Sequence, residues 1–437
     1  MNQKPTNTTF SNRRASLCSE LDEGAILISA NTLVLRNHDV EYQFRQESSF
    51  WYFTGFNEPN AVALLRPNHE DPYVLFFQPT DEKSRLWTGK GITLDIAKNE
   101  YGADEAYPID ELNLKLPTLL KKNKNIYYSL GSNSNLDKVV LGIVKNRRST
   151  VRHADDLIEK VIDPYPIISA MRLLKTESEI QLISDAINIT IDGFESGIKA
   201  TKPGLYEYQI QATIEHAFRK NGSFHNAYPS IVASGNNACI LHYTENDSLL
   251  SNDSLLLVDA GAEIKYYAAD ITRTWPVNGK FSEIQRDIYD IVLTAQKDAI
   301  SIIKPGIPFS DIHKKALQTL VQGLIDLRIL SGNISDNIES KTYLPYFAHG
   351  ISHWLGLDVH DIGSYTDKIG SKILKPGMVF TVEPGLYFNN QNSSTPQKYA
   401  GIGIRIEDDI LVTDTGHQNL TAKLPVNPSD IEHLMLY

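Results

Sequence analysis

The sequence predicts an α/β (α+β) protein of two domains, the second of them built as two related halves. Three observations predict it. Between Gly24 and Asp163, short apolar runs alternate with helical stretches and turn residues. The run Asp163-Pro164-Tyr165-Pro166 then interrupts the pattern, and Thr176-x-x-Glu179 opens a new helix as a capping box. Beyond it, Lys202-Pro203-Gly204 recurs as Lys304-Pro305-Gly306, each time between two helical segments and ahead of strands. The chain has 437 residues, ample for two cores. The expected domains are 1–172 and 173–437.

In the first domain Ala25–Ser29, Ala61–Leu65, Tyr73–Phe77 and Ile126–Ser129 read as strands, and His153–Ile162 reads as a helix ending at the proline pair. Trp51-Tyr52-Phe53 reads as core and interface packing. In the second, helices over Glu177–Lys199 and Tyr206–Lys220 lead to strands over Ser230–Tyr243 and to a hairpin, Val258–Trp275. Helices over Glu283–Ile303 and Asp311–Leu330 lead to strands over Met378–Phe388 and Gly401–Thr413. A lone KPG means only a turn. Its return in the same context implies two halves about a pseudo-twofold axis.

The hairpin carries the first chemistry. With Ile264-Lys265 as its turn, Glu263 faces Tyr266 and Asp259 faces Asp270, their Cβ atoms roughly 5 Å apart on one face. Facing like charges in a half-buried sheet destabilise it, unless the acids simply point at water. A shared proton, a neighbouring arginine or a metal ion would neutralise them. The second half supplies two more acids. Glu383 lies in MVFTVEPG, kept extended by Pro384, and Glu407 lies in GIGIRIEDDI. There Ile402, Ile404 and Ile406 alternate with Gly403, Arg405 and Glu407, which puts Arg405 and Glu407 on one face.

Histidines gather nearby in sequence. His349, His353 and His360, of twelve in the chain, fall within HGISHWLGLDVHD, and His242 lies in CILHYTEN. A single histidine is more often a structural hydrogen-bonding residue, but the cluster beside four acids points to chemistry. The glycines indicate an irregular loop-and-strand path rather than the helical zinc motif. Asp259, Asp270, Glu383 and Glu407 bring a formal −4 against one charge from Arg405. Protonating several of them at neutral pH needs large upward pKa shifts, whereas two divalent cations ionise them all. Oxygen-rich ligation with one imidazole and no thiolate suits Mn2+ first, then Co2+, Fe2+ or Zn2+.

Composition excludes other classes. A net charge of −11 without a long basic block argues against nucleic acid, and no apolar run approaches the ~18 residues of a membrane span. The opening MNQKPTNTTFSNRRASLCSE lacks a signal-peptide core, and Cys18 and Cys239 match no metal or disulfide spacing, so a cytoplasmic protein is expected.

The order Asp, Asp, His, Glu, Glu resembles the pita-bread metallopeptidases, which include methionine aminopeptidase, prolidase and aminopeptidase P. HGISHWLGLDVHD matches the signature of the proline-specific branch at every position. RNHDVEYQFRQESSFWYFTGFNEP and IVASGNNACILHYTEN are similar to aminopeptidase P in particular. The resemblance implies a pita-bread fold behind a smaller α/β domain of the creatinase/prolidase type. It implies metal ligands at Asp259, Asp270, His353, Glu383 and Glu407, with Asp270 and Glu407 bridging. It implies His242, His349 and His360 as outer histidines, Arg405 as an orienting charge, and Tyr387 as a pocket wall. It also implies an oligomer, dimer or tetramer, in which Asp39 and Trp87 reach a neighbouring subunit's site while the first domain covers its own. Where the family usually has glycine beside the hairpin turn, this chain has Tyr266.

The expected reaction is hydrolysis of the bond between an N-terminal residue and proline by a metal-bridging hydroxide, with Glu383 moving the proton and His360 facing the oxyanion. The rivals are a prolidase restricted to dipeptides, a non-catalytic peptide-binding module, and metal-free creatinase-like chemistry.

Overall fold

The computed structural model describes residues 7–81, 85–87, 89, 91–150 and 157–436. They form two compact units, one ending at Met171 and the other beginning at Arg172.

The first unit is organised by a six-stranded sheet. In chain order its strands and a small side hairpin are β1 (Gly24–Ser29), β2 (Leu35–Asn37), β3 (Val40–Glu41), β4 (Val62–Leu65), β5 (Tyr73–Phe77), β6 (Glu105–Pro108), β7 (Asn125–Tyr127) and β8 (Lys160–Ile162). The sheet order is β6-β5-β4-β1-β7-β8. β4 lies antiparallel to β1 and β5, and the other pairings are parallel. The central strands are nearly continuous apolar runs because both faces are covered. Leu27, Leu64 and Phe76 pack with Leu116, Tyr128 and Val140 in one cluster. Trp51, Tyr52 and Phe53 are buried on a short helix that begins at Ser48, where the Glu47 carboxylate accepts from the amides of Ser49 and Phe50. The β2–β3 hairpin, with Asp39 near its tip, is exposed.

One expectation here is corrected. The helix assigned to His153–Ile162 lies partly outside the described residues, and Lys160–Ile162 is strand β8, paired with β7. A parallel partner outweighs local helical periodicity. The following Tyr165-Pro166 starts a helix, Tyr165–Leu173, in whose first turn proline costs no hydrogen bond.

The second unit repeats one plan twice. Helices Glu177–Ala200 and Glu207–Lys220 precede β9 (His225–Asn226), β10 (Ile231–Ser234), β11 (Leu255–Ala260), β12 (Ala262–Ile264), β13 (Tyr267–Ala268) and β14 (Ile271–Pro276). Helices Glu283–Ser301 and Phe309–Asp326 precede a side hairpin of β15 (Thr366–Asp367) and β16 (Gly370–Ser371). They precede also β17 (Val379–Val382), β18 (Gly385–Phe388), β19 (Ile402–Arg405), β20 (Asp408–Val412) and β21 (His417–Asn419). Each half has a three-stranded antiparallel sheet, β10-β11-β14 in one and β17-β20-β21 in the other. The KPG turns at 202–204 and 304–306 also correspond. Gly204 and Gly306 are left-handed, at φ 86° and 92°, and donate to Leu250 O and Leu374 O.

Each half contains a hairpin whose two strands bend at the same level and change sheets. In the first, β11 pairs with β14 and, past the bend, β12 with β13. In the second, β17 pairs with β20 and β18 with β19. The bends fall at Gly261 and Ala269-Asp270, and at Glu383-Pro384 and Ile406-Glu407. Gly261 is obligatory, since a Cβ there would lie 1.8 Å from Ala269 O. The halves meet where Glu407 N donates to Thr272 O at 3.1 Å and the buried Arg273 guanidinium donates to Glu407 O at 2.6 Å.

Three sequence expectations change. The hairpin turn is Lys265-Tyr266, both left-handed at φ 48° and 71°, as a two-residue turn with the strands' own twist requires. Asp259 therefore faces Thr272, not Asp270, and Glu263 faces Ala268, not Tyr266. The slip is by two residues, so both aspartates keep the same face. Glu407 sits at a bend just past β19 rather than inside a continuous strand. The strand within Ser230–Tyr243 ends at Ser234 and gives way to a 3-10 turn.

Candidate metal centre

A cavity of about 590 Å3 in the second unit lies over the seam between the halves. It is lined by Asp259, Asp270, His353, Glu383 and Glu407, together with His242, His349, His360 and Arg405. Each acid arrives from the end of a strand or a bend. Asp259 is on β11, Asp270 leads into β14, Glu383 follows β17 and Glu407 follows β19. His353 is fixed beside β17, its amide bonded to Thr381 Oγ1 at 3.2 Å and its carbonyl to Thr381 N at 3.0 Å.

The acids are close. His353 Nε2 lies 3.2 Å from Asp270 Oδ2 and 3.6 Å from Glu383 Oε1. Asp270, His353 and Glu407 each offer a ligand atom within 4.8 Å of the others. Asp259 and Glu383 line the same cavity but stand outside that tight trio. The Arg405 guanidinium donates to Asp259 Oδ2 at 2.7 Å and to the Tyr387 hydroxyl at 3.1 Å. Tyr387 also bonds His349 Nε2 at 2.8 Å. Asp39 and Trp87 belong to the first unit, where both are exposed.

The protonation pattern shows strain in charge. Burial pushes the Glu383 carboxyl up to about 7, against the opposing pull of His353 and Arg405. Burial, followed by the charges of Asp270 and Glu383, raises Glu407 well above the usual range. Asp259 is raised by burial too, although Arg405 opposes this. Burial acts to lower His353, but its bond to Asp270 and the charges of Asp270 and Glu383 outweigh it and hold it at about 9. His349 goes the other way, down to about 4, through burial and the nearby Arg405.

The donor set suits divalent ions. It offers four carboxylates and one imidazole, without thiolate, and among the described lining residues Arg405 is the only Lys or Arg. The Tyr228 hydroxyl lies in close contact with Asp259 Oδ1 and with Asp270 Oδ1. One hydroxyl proton cannot serve two ionised carboxylates, so either a further proton or added positive charge is called for at that point.

Three contributors were not singled out from the sequence. Tyr228 lies in AYPS, which carries no signal. Thr272, whose hydroxyl donates to Glu407 Oε2 at 2.7 Å, stands two residues past Asp270 and so was findable from strand periodicity. The fully buried Asp409 accepts from the Asp270 amide at 3.1 Å and stands two residues past Glu407 in an acidic run.

Comparison with known proteins finds relatives along nearly the whole chain. Residues 181–414 match the model of metallopeptidase family M24, and residues 10–127 match that of the aminopeptidase P N-terminal domain. The chain is 41% identical to the Xaa-Pro aminopeptidase of Escherichia coli over 430 residues, covering 98% of this chain and 97% of that one. Its structure resembles that of the aminopeptidase PepP of Pseudomonas aeruginosa, with a TM-score of 0.97 at 38% identity, covering 100% and 99% of the two chains. It also resembles zinc-substituted E. coli aminopeptidase P in complex with product, with a TM-score of 0.95 at 40% identity, covering 100% and 99%.

Proposed function

The chain belongs to metallopeptidase family M24, with the two-domain plan of aminopeptidase P, and from that premise we propose that it hydrolyses the N-terminal Xaa-Pro bond of peptides. The observation that carries the proposal is the convergence of Asp259, Asp270, His353, Glu383 and Glu407 on one cavity. These five side chains would hold two divalent ions, Mn2+ foremost. When bound, such ions supply a hydroxide nucleophile at neutral pH and polarise the scissile carbonyl.

The chain's own residues do the rest. Glu383, lining the cavity beside His353, takes the nucleophile's proton and delivers it to the leaving prolyl nitrogen. The His360 ring is exposed on the cavity, and burial with the nearby His353 keeps it neutral, so its N–H can donate to the developing oxyanion. Arg405 orients Asp259, near which the free α-amine of the substrate sits, and this restricts cleavage to the first bond. The tertiary amide of proline has no N–H to donate, so its ring needs walls rather than acceptors. His242 and His349 supply them, with Ile231 and Leu241 as apolar neighbours, while Tyr387 lies behind the lining and holds His349 through its hydroxyl.

A dipeptidase would need a cation for the substrate's C-terminal carboxylate. Arg405 is committed to Asp259 and Tyr387, and no other Lys or Arg lines the cavity among the described residues. An Xaa-Pro-Yaa peptide should therefore exceed the matching Xaa-Pro dipeptide in kcat/KM by about tenfold or more. Preference for the dipeptide would replace this reading with a prolidase. The test of the function itself is hydrolysis of Xaa-Pro-Yaa with and without added Mn2+.

In its finer form the proposal is a cytoplasmic homotetramer. Residues 1–172 serve assembly and cover the site, and Asp39 and Trp87 reach a neighbouring subunit's site. The N-terminal domain match and the exposure of both side chains support this, as do the free thiols of Cys18 and Cys239. Among the described residues no helix is long and apolar enough to cross a membrane.

A further inference from the structure

The segment His353–Asp361 carries two functional histidines, and they are held in different ways. His353 to Leu355 lie against β17 through backbone bonds to Thr381 and Val379. From Gly356 the chain leaves the sheet, loops through His360, and returns where Asp361 N donates to Trp354 O at 2.9 Å. No described residue hydrogen-bonds the His360 ring. Its ring packs edge-on against that of His353, centroids 4.4 Å apart, and its placement otherwise depends on the backbone of its own loop.

That loop is pinned on both sides of His360 by two buried cations. The Arg172 guanidinium donates to Asp358 Oδ2 at 2.7 Å and, on the same nitrogen, to Asp361 Oδ1. Lys175 Nζ donates to Asp361 Oδ2 at 3.0 Å. The side chains of Arg172, Lys175 and Asp361 are each at most 2% exposed, so the pairs are shielded from competing water. Lys175 is itself fixed, its amide bonded to Gly377 O at 2.8 Å just ahead of β17. Gly356 makes room for the arrangement. A Cβ there would lie 2.0 Å from Asp361 Oδ2 and 3.0 Å from Lys175 Cε.

We propose that Arg172 and Lys175 are positioning residues for His360, holding it over the cavity through Asp358 and Asp361. The proposal rests on the reading of His360 as an oxyanion donor. None of the four charged residues lines the cavity. Burying two cations against a loop is costly unless the pairs are kept. The ridge bearing His360 is thereby rigid where a substrate-facing loop would otherwise move.

The test is a double-mutant cycle on the metal-loaded full chain, with Arg172→Gln made in the parent and in a His360→Ala background. Arg172→Gln should lower kcat by about tenfold or more in the parent with a smaller change in KM, and by less than about twofold once His360 is absent. Arg172→Lys should restore part of the loss, and bound metal per chain should stay unchanged. Equal losses in both backgrounds, or a loss of metal matching the loss of rate, would overturn the proposal. The first outcome would make the cluster a stability element and the second a support for His353. If His360→Ala alone leaves kcat intact, it is the oxyanion reading that fails, a result distinct from additivity. Should Arg172→Gln not fold, Asp358→Asn at the partly exposed end of the cluster carries the same cycle.

Discussion

Glu383→Ala is expected to abolish turnover of an Xaa-Pro-Yaa peptide, by about a thousandfold or more, even with excess Mn2+ supplied. General acid–base groups contribute about 10^2 to 10^4 in rate, and the variant would also lose the metal ligation proposed for Glu383. The structure separates this effect from unfolding. The folded site holds the Glu383 proton more tightly than the unfolded chain does, so at neutral pH this carboxylate opposes folding of the metal-free protein. Its removal should leave the metal-free Tm unchanged or higher while activity disappears. Retention of more than about a tenth of parental kcat would remove Glu383 from the proton-transfer role.

Stripping the metal should abolish turnover and also impose a definite pH dependence on stability. Glu383 moves from an ordinary 4.5 to about 7 on folding, so the metal-free protein loses stability as pH rises through that interval. His353 moves from 6.5 to about 9, so the stability it contributes is full below 6.5 and is lost as pH rises through 9. His349, lowered to about 4, acts oppositely, but only below 6.5. Between pH 6.5 and 9 the metal-free Tm should therefore fall steadily. The increment from Mn2+ should grow over the same range, because the ions displace the protons these ligands hold. A metal-free Tm that is flat or rising across that range would contradict the assigned charge states.

Much of this was legible in the sequence, for identifiable reasons. The strands of the first unit were visible because fully buried strands leave unbroken apolar runs, as in Tyr73–Phe77. The acids were visible because strand periodicity and repetition of the halves are both written locally. Tertiary pairing is not local, and it accounts for the errors. Lys160–Ile162 became a strand because β7 lay alongside it, against its own helical periodicity. The hairpin register moved by two residues because the surrounding sheet forces Tyr266 into a conformation that tyrosine alone disfavours. The bends that aim Glu383 and Glu407 into one cavity depend on strands changing sheets, which alternation within GIGIRIE could not express. Tyr228 came to the site through space alone.

Acids from both halves are expected to share one pocket because a pair of dications neutralises them there. Anomalous diffraction from crystals of the Mn2+-loaded protein should show two peaks per chain, about 3.5–4 Å apart, among Asp259, Asp270, His353, Glu383 and Glu407. Peaks on other side chains, or none in that cavity with Mn2+ in excess, would contradict that expectation.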